Sequence, residues 1–153
     1  MKGRLKMIAL ACAALAVAGV ALASYTPGEA AKLRIERYRD TGAAFKSVND
    51  QLKSGTLIKV MLRASAKTIS ASARDQFNWF PPGSGPEAGV KTKAKPEIWS
   101  EADKFREAQL RFQNEADAFS AAVESGDKDA IRKQSQALGK ACAGCHDKYR
   151  VRH

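Results

Sequence analysis

Three side chains near the C-terminus could do chemistry together: Cys142, Cys145 and His146, in the run Cys142-Ala143-Gly144-Cys145-His146. Two thiols three residues apart lie on one helical face. That spacing lets each add to one vinyl group of a single porphyrin. The adjoining His146 then offers an imidazole nitrogen to the iron as axial ligand. C-x-x-C-H is the spacing of covalent haem attachment and implies one haem c. C-x-x-C alone would also serve a thioredoxin-like redox pair or half of a zinc site. A zinc site needs a fourth ligand, and the other histidine, His153, stands at the chain end. A thioredoxin-like pair would want strands around it, and no stretch alternates apolar and polar residues with period two.

The third cysteine, Cys12, lies in a leader. Lys2, Arg4 and Lys6 precede an apolar run, and Ala21-Leu22-Ala23 forms an A-x-A cleavage site. Residues 1–23 therefore read as a cleaved signal peptide and residues 24–153 as the mature haem domain. The apolar run over 7–23 is 17 residues, short of the ~20 that span a bilayer, so no stable membrane anchor is expected. Cys12 leaves with the leader, and both remaining cysteines belong to the motif. Covalent haem attachment takes place outside the bacterial cytoplasm. Leader and motif thus agree on the periplasm.

The formal charge is +10, and loss of the three leader cations leaves +7. Such a surface attracts anionic partners and an acidic redox partner over long range. The basic residues are interleaved with acids, and no aromatic-basic RNA motif or zinc-finger spacing is present. Nucleic acid is not an expected partner.

The elements that must position the motif are four helices. The first covers residues 29–53, with Arg34, Tyr38, Thr41, Phe45, Val48 and Leu52 on one inward seam. Ser54-Gly55 ends it, and Thr56 is placed to cap the second helix, residues 57–78. The second helix has two semi-apolar seams. Pro81, Pro82, Pro86, Gly83 and Gly85 then enforce a loop that runs to residue 95, with Trp79 and Phe80 as packing anchors. Pro96 suits the first turn of a third helix over residues 97–124. Ser125-Gly126 stops it, and Asp127 caps the fourth helix, which carries Ile131, Leu138, Cys142, Cys145 and Tyr149 on its core seam. The fold expected is all-α: an antiparallel four-helix bundle with one long loop between helices two and three.

With these motifs in this order, the mature chain resembles the cytochrome c-prime family and its c-556 kin. The resemblance rests on the haem motif continued to Arg150, on Arg34-x-x-x-Tyr38-x-x-x-Gly42, and on Lys93-Ala94-Lys95-Pro96-Glu97-Ile98-Trp99. It implies a periplasmic, often homodimeric bundle, dimerised through the first two helices. It implies a five-coordinate haem iron with His146 as the one protein ligand. By resemblance Arg34 approaches a haem propionate, Tyr38 lies on the open distal side, and Arg150 flanks the proximal side. In c-556 proteins a methionine at the place of Tyr38 closes the sixth position, and this sequence departs from that pattern.

The residues agree. Seven residues follow His146, so a sixth ligand has to come from upstream. Met61 is the one methionine after the leader, and the pattern there points to packing. His153 shares a helix with His146 and cannot cross to the other haem face. Tyr38 would have to lose a proton of pKa ~10 to ligate well. The reading is a gas-binding haem protein for nitric oxide and carbon monoxide, with nitric oxide buffering or detoxification as the role that the resemblance implies. It also has one-electron redox capacity. The alternative is a six-coordinate, c-556-like electron carrier with an unknown redox partner. No distal histidine base is available, so an enzyme is not expected.

Overall fold

The computed structural model describes residues 25–152. Helix α1 spans Pro27–Ser54 and α2 spans Lys59–Asp75. A single turn, α3, spans Glu97–Ser100, followed by α4 over Ala102–Ser125 and α5 over Lys128–Tyr149. The four long helices form the expected all-α antiparallel bundle. Among the described residues β pairing is limited to one bridge, Ala94 with Arg150. No described helix is long and apolar enough to cross a membrane. The signal peptide expected over residues 1–23 lies outside the described residues.

Local sequence sets each boundary. Thr26 and Glu29 cap α1 reciprocally: Glu29 N–H donates to the Thr26 hydroxyl, and Thr26 N–H donates to the Glu29 carboxylate. Gly55 and Gly126, at φ 75° and 73°, take the left-handed conformation that closes α1 and α4. The Asp127 carboxylate accepts from Asp129 N–H and Ala130 N–H at 2.8 and 2.9 Å, as expected.

Three boundaries differ from the sequence reading: the second helix stops at Asp75 rather than 78, and a single 3-10 turn, Gln76–Asn78, follows it. The residue preceding α2 is Ile58, not Thr56, and its N–H is met at 2.8 Å by Gln51 Oε1 from α1. A side chain seven positions back does the work expected of a local hydroxyl. The third helix is also interrupted. Glu101 leaves helical geometry at φ −119°, ψ 46°, and its carboxylate pairs with Lys148 on α5. The single-turn α3 is instead held by Trp99, whose indole N–H donates to the carbonyls of Phe80 and Pro81.

Neighbouring helices run antiparallel. Thr41 meets Ser72 between α1 and α2, Ser70 meets Ala116 between α2 and α4, and Arg63 pairs with Glu124 at the far end. The main core gathers Val48, Leu62, Ile69, Phe112, Phe119, Val123, Ile131 and Leu138. A second cluster, Ile98, Phe105, Ala108 and Tyr149, lies toward the loop. α1 packs along α2 and α5 along α4, while α1 and α5 meet only sparingly. They touch where Ser135 donates to Asn49 at 3.3 Å and where a Cβ on Gly139 would come within 3.3 Å of the Phe45 ring. Carried two turns further, that register sets Tyr38 level with Cys145 and His146.

Candidate haem site

Cys142 and Cys145 are free thiols on the inner side of α5, both half-buried. Cys142 packs against the main core and Cys145 against the second cluster, so the pair stands at the seam between the two. Burial pushes both thiols up to about 11, and the neighbouring Cys142 adds to the effect at Cys145. Both are therefore protonated at neutral pH. His146 is exposed. Partial desolvation and then the Arg150 charge lower its pKa, with Asp147 opposing. Its imidazole is thus held neutral, the form that ligates a metal. His146 lines an open cavity of about 340 Å³ together with Lys93, Arg150, Val151 and Arg152.

Arg150 lies beside His146, but not on the helix. α5 ends at Tyr149, and Arg150 is extended at φ −123°, ψ 135°, tied by its N–H to the His146 carbonyl at 3.1 Å. Two further main-chain bonds pin this end to the loop: Lys95 N–H to Tyr149 O at 3.0 Å and Val151 N–H to Lys93 O at 2.9 Å. They bring Lys93 and Arg150 to one cavity from distant parts of the sequence.

Tyr38 faces the cysteines. Burial raises its phenol pKa far above the ordinary range, the nearby Cys145 raises it further, and Arg34 lowers it. Its ring stands edge-on to Trp79 at 5.1 Å and tilted against Phe80 at 6.2 Å. Its hydroxyl donates to Gln76 Oε1 at 3.0 Å. Phe80 continues the aromatic wall to Phe105 at 4.8 Å, and Phe105 to Tyr149 at 4.9 Å.

Arg34 is buried, and the long loop is what it holds. Nη1 donates to Ser84 Oγ at 2.8 Å and Trp79 O at 3.4 Å; Nη2 donates to Ser84 O and to Thr92 Oγ1 at 3.2 Å. Its guanidinium also stacks 4.9 Å from the Phe80 ring centre. These four bonds engage all four hydrogens of the two terminal nitrogens, leaving Nε–H for any further contact. The expected propionate bond therefore competes with a loop clamp that sequence reasoning did not find. It also missed Gln76 and its partnership with Gln109. The one trace lies in the third helix, where Ile98, Ala102, Phe105, Phe112, Ala116, Phe119 and Val123 repeat at heptad-like spacing and the polar Gln109 fills one inward slot.

The donor set fits a haem. Two protonated, unpaired thiols lie a helical turn apart between two apolar clusters, a neutral imidazole follows directly, and an aromatic wall lies across from them. A C-x-x-C-H motif on the last helix of an antiparallel bundle defines a bundle-type c-type cytochrome.

Comparison with known proteins reaches the same class. Residues 29–150 match the family described as Cytochrome C'. A cytochrome c' from Rhodospirillum rubrum is 32% identical over 146 residues, covering 95% of this chain and 97% of that one. One from Alcaligenes xylosoxydans xylosoxydans is 40% identical over 84 residues; the match spans 55% of this chain and 60% of the relative's length. Among solved structures, cytochrome c' from Thermochromatium tepidum superposes with a TM-score of 0.80 at 26% identity, over 85% of this chain and 100% of that one. A nitric oxide complex of a cytochrome c prime variant from Alcaligenes xylosoxidans superposes at 0.74 with 27% identity, over 83% and 98% of the two chains. The chain belongs to the cytochrome c' family. Its cofactor is one covalent haem c, and its compartment is the periplasm. Family membership makes it a haem protein of the gas-binding and electron-transfer kind rather than an enzyme.

Proposed function

We propose that this protein binds nitric oxide and carbon monoxide at a five-coordinate haem iron and buffers or removes nitric oxide in the periplasm. The haem supplies the iron at which a diatomic ligand binds and through which one electron is exchanged. The protein supplies His146 on one side and a restricted, ligand-free pocket on the other. The observation that carries this reading is the fate, among the described residues, of two side chains that could close the sixth position, Met61 and Tyr38. Met61, the one methionine among the described residues, is 45% exposed near the start of α2, in a groove it shares with Ser47, Gln51 and Ser54 of α1. Tyr38 lies near the cysteines, but burial keeps its phenol protonated and Gln76 takes its hydrogen bond. A neutral phenol is a poor ligand and a good shield. The nitric oxide complex solved for a relative supports the same chemistry here.

In this reading Tyr38 lines the distal side and Arg150 flanks the proximal side. Arg34 supports the site chiefly by fixing the loop over it. Titrating the ferrous protein with nitric oxide tests the function. A stoichiometric change in the haem absorption is expected, and no change would defeat the reading.

The chain also pairs with a second copy of itself. Ile58, Val60 and Met61 are 44%, 73% and 45% exposed at one end of α2. Ile58 and Met61 border a groove that α1 lines with Ala43, Ser47 and Gln51. Apolar side chains left together on one face favour a partner surface. The one-electron role rests on the cations beside His146, Lys93 and Arg150, which favour an acidic redox partner.

A further inference from the structure

Gln76 follows α2 directly and is 2% exposed. Its amide nitrogen donates to two main-chain carbonyls, Ala73 O and Gln109 O, both at 3.1 Å. Gln109 returns the contact, its own amide donating to Gln76 O at 3.2 Å. Carbonyl oxygens only accept, so these two partners fix which end of the Gln76 amide is nitrogen. The other end, Oε1, must face Tyr38, and an amide oxygen also only accepts. The Tyr38 hydroxyl is therefore obliged to donate to Gln76. Its single proton is committed, and its lone pairs and ring edge are what remain for a guest beside the cysteines.

We propose that Gln76 is a specificity-determining positioning residue: by holding the Tyr38 proton, it keeps the distal pocket free of a hydrogen-bond donor from that tyrosine. Weakly polar guests such as carbon monoxide and nitric oxide lose nothing in such a pocket. Guests that gain by accepting a hydrogen bond, such as dioxygen or cyanide, are left without one. The inference rests on the gas-binding reading and assigns the control of its selectivity to a residue outside the haem motif.

The test is the C–O stretching frequency of the ferrous carbon monoxide complex, measured for the native holoprotein, Y38F, Q76L and the double variant. A donor aimed at the oxygen lowers that frequency. Native protein and Y38F should match, because the native hydroxyl is turned away. Q76L should show a lower frequency as the freed hydroxyl reorients, and Y38F/Q76L should return to the native value. A frequency that rises in Y38F alone overturns the proposal, since Tyr38 would then already donate to the guest. So does a Q76L band that coincides with native. If Q76L does not fold, the Y38F comparison still decides. Failure of the native protein to bind carbon monoxide at all would defeat the gas-binding reading itself, and this inference with it. A Y38F shift in a protein that does bind carbon monoxide defeats only the inference.

Discussion

At the scale of residues, Arg34 and the two cysteines show how burial redirects ordinary chemistry. A guanidinium on the inner face of a first helix would be a costly placement were its hydrogens not consumed by Ser84, Trp79 and Thr92. Arg34→Met keeps the apolar stem but strands the carbonyls of Ser84 and Trp79. We expect a loss of about 3 kcal/mol in denaturant unfolding, at about 1–3 kcal/mol per buried group left unpaired. Arg34→Lys should recover only part of it, because one ammonium cannot reproduce the fork. The thiols give a second outcome. With pKa values near 11, Cys142 and Cys145 of the haem-free protein should react slowly with iodoacetamide at pH 7 and gain about tenfold per pH unit toward that value. Rates equal to those of a free cysteine would contradict the burial described. The haem motif was legible in the sequence because its chemistry is local. Arg34 and Tyr38 were placed on the right seam for the same reason. Gln76 was not, since its partners Tyr38 and Gln109 are 38 and 33 positions away.

At the scale of elements, the helix ends carry the predictions. Asp127 satisfies two N–H groups at the start of α5, the helix that bears the haem motif. Asp127→Ala should cost about 1 kcal/mol by denaturant unfolding of the holoprotein. At the start of α1, hydrogen bonds from the Thr26 side chain and then its backbone hold the Glu29 carboxylate below its ordinary range. A depressed carboxylate pKa stabilises the folded state above the unfolded value and loses that contribution as pH falls through the folded value. Amide-exchange protection in the first turn of α1 should therefore fall on acidification below pH ~4, and Glu29→Gln should abolish that dependence. The four helices, the long loop and the glycine stops were all readable from period and breakers. The interruption at Glu101 was not, because the apolar spacing Ile98, Ala102, Phe105 runs past it unbroken. What breaks the helix there is tertiary: Trp99 reaching the loop and Glu101 reaching Lys148.

At the scale of the whole molecule, α1 and α5 meet only sparingly, and Tyr38 on the one faces the motif on the other. If α2 forms the interface between copies, Val60→Glu should convert a native dimer to monomer by sedimentation velocity with the haem spectrum unchanged. A native protein that sediments as a monomer would dismiss the interface. The central claim is that the iron has one protein ligand, His146, and an open position opposite. The optical spectrum of the ferrous holoprotein, before and after carbon monoxide, tests it most directly. The account predicts a high-spin ferrous spectrum that converts completely when the gas is added. A low-spin ferrous spectrum indifferent to carbon monoxide would mean that a sixth ligand already fills the site, and would contradict it.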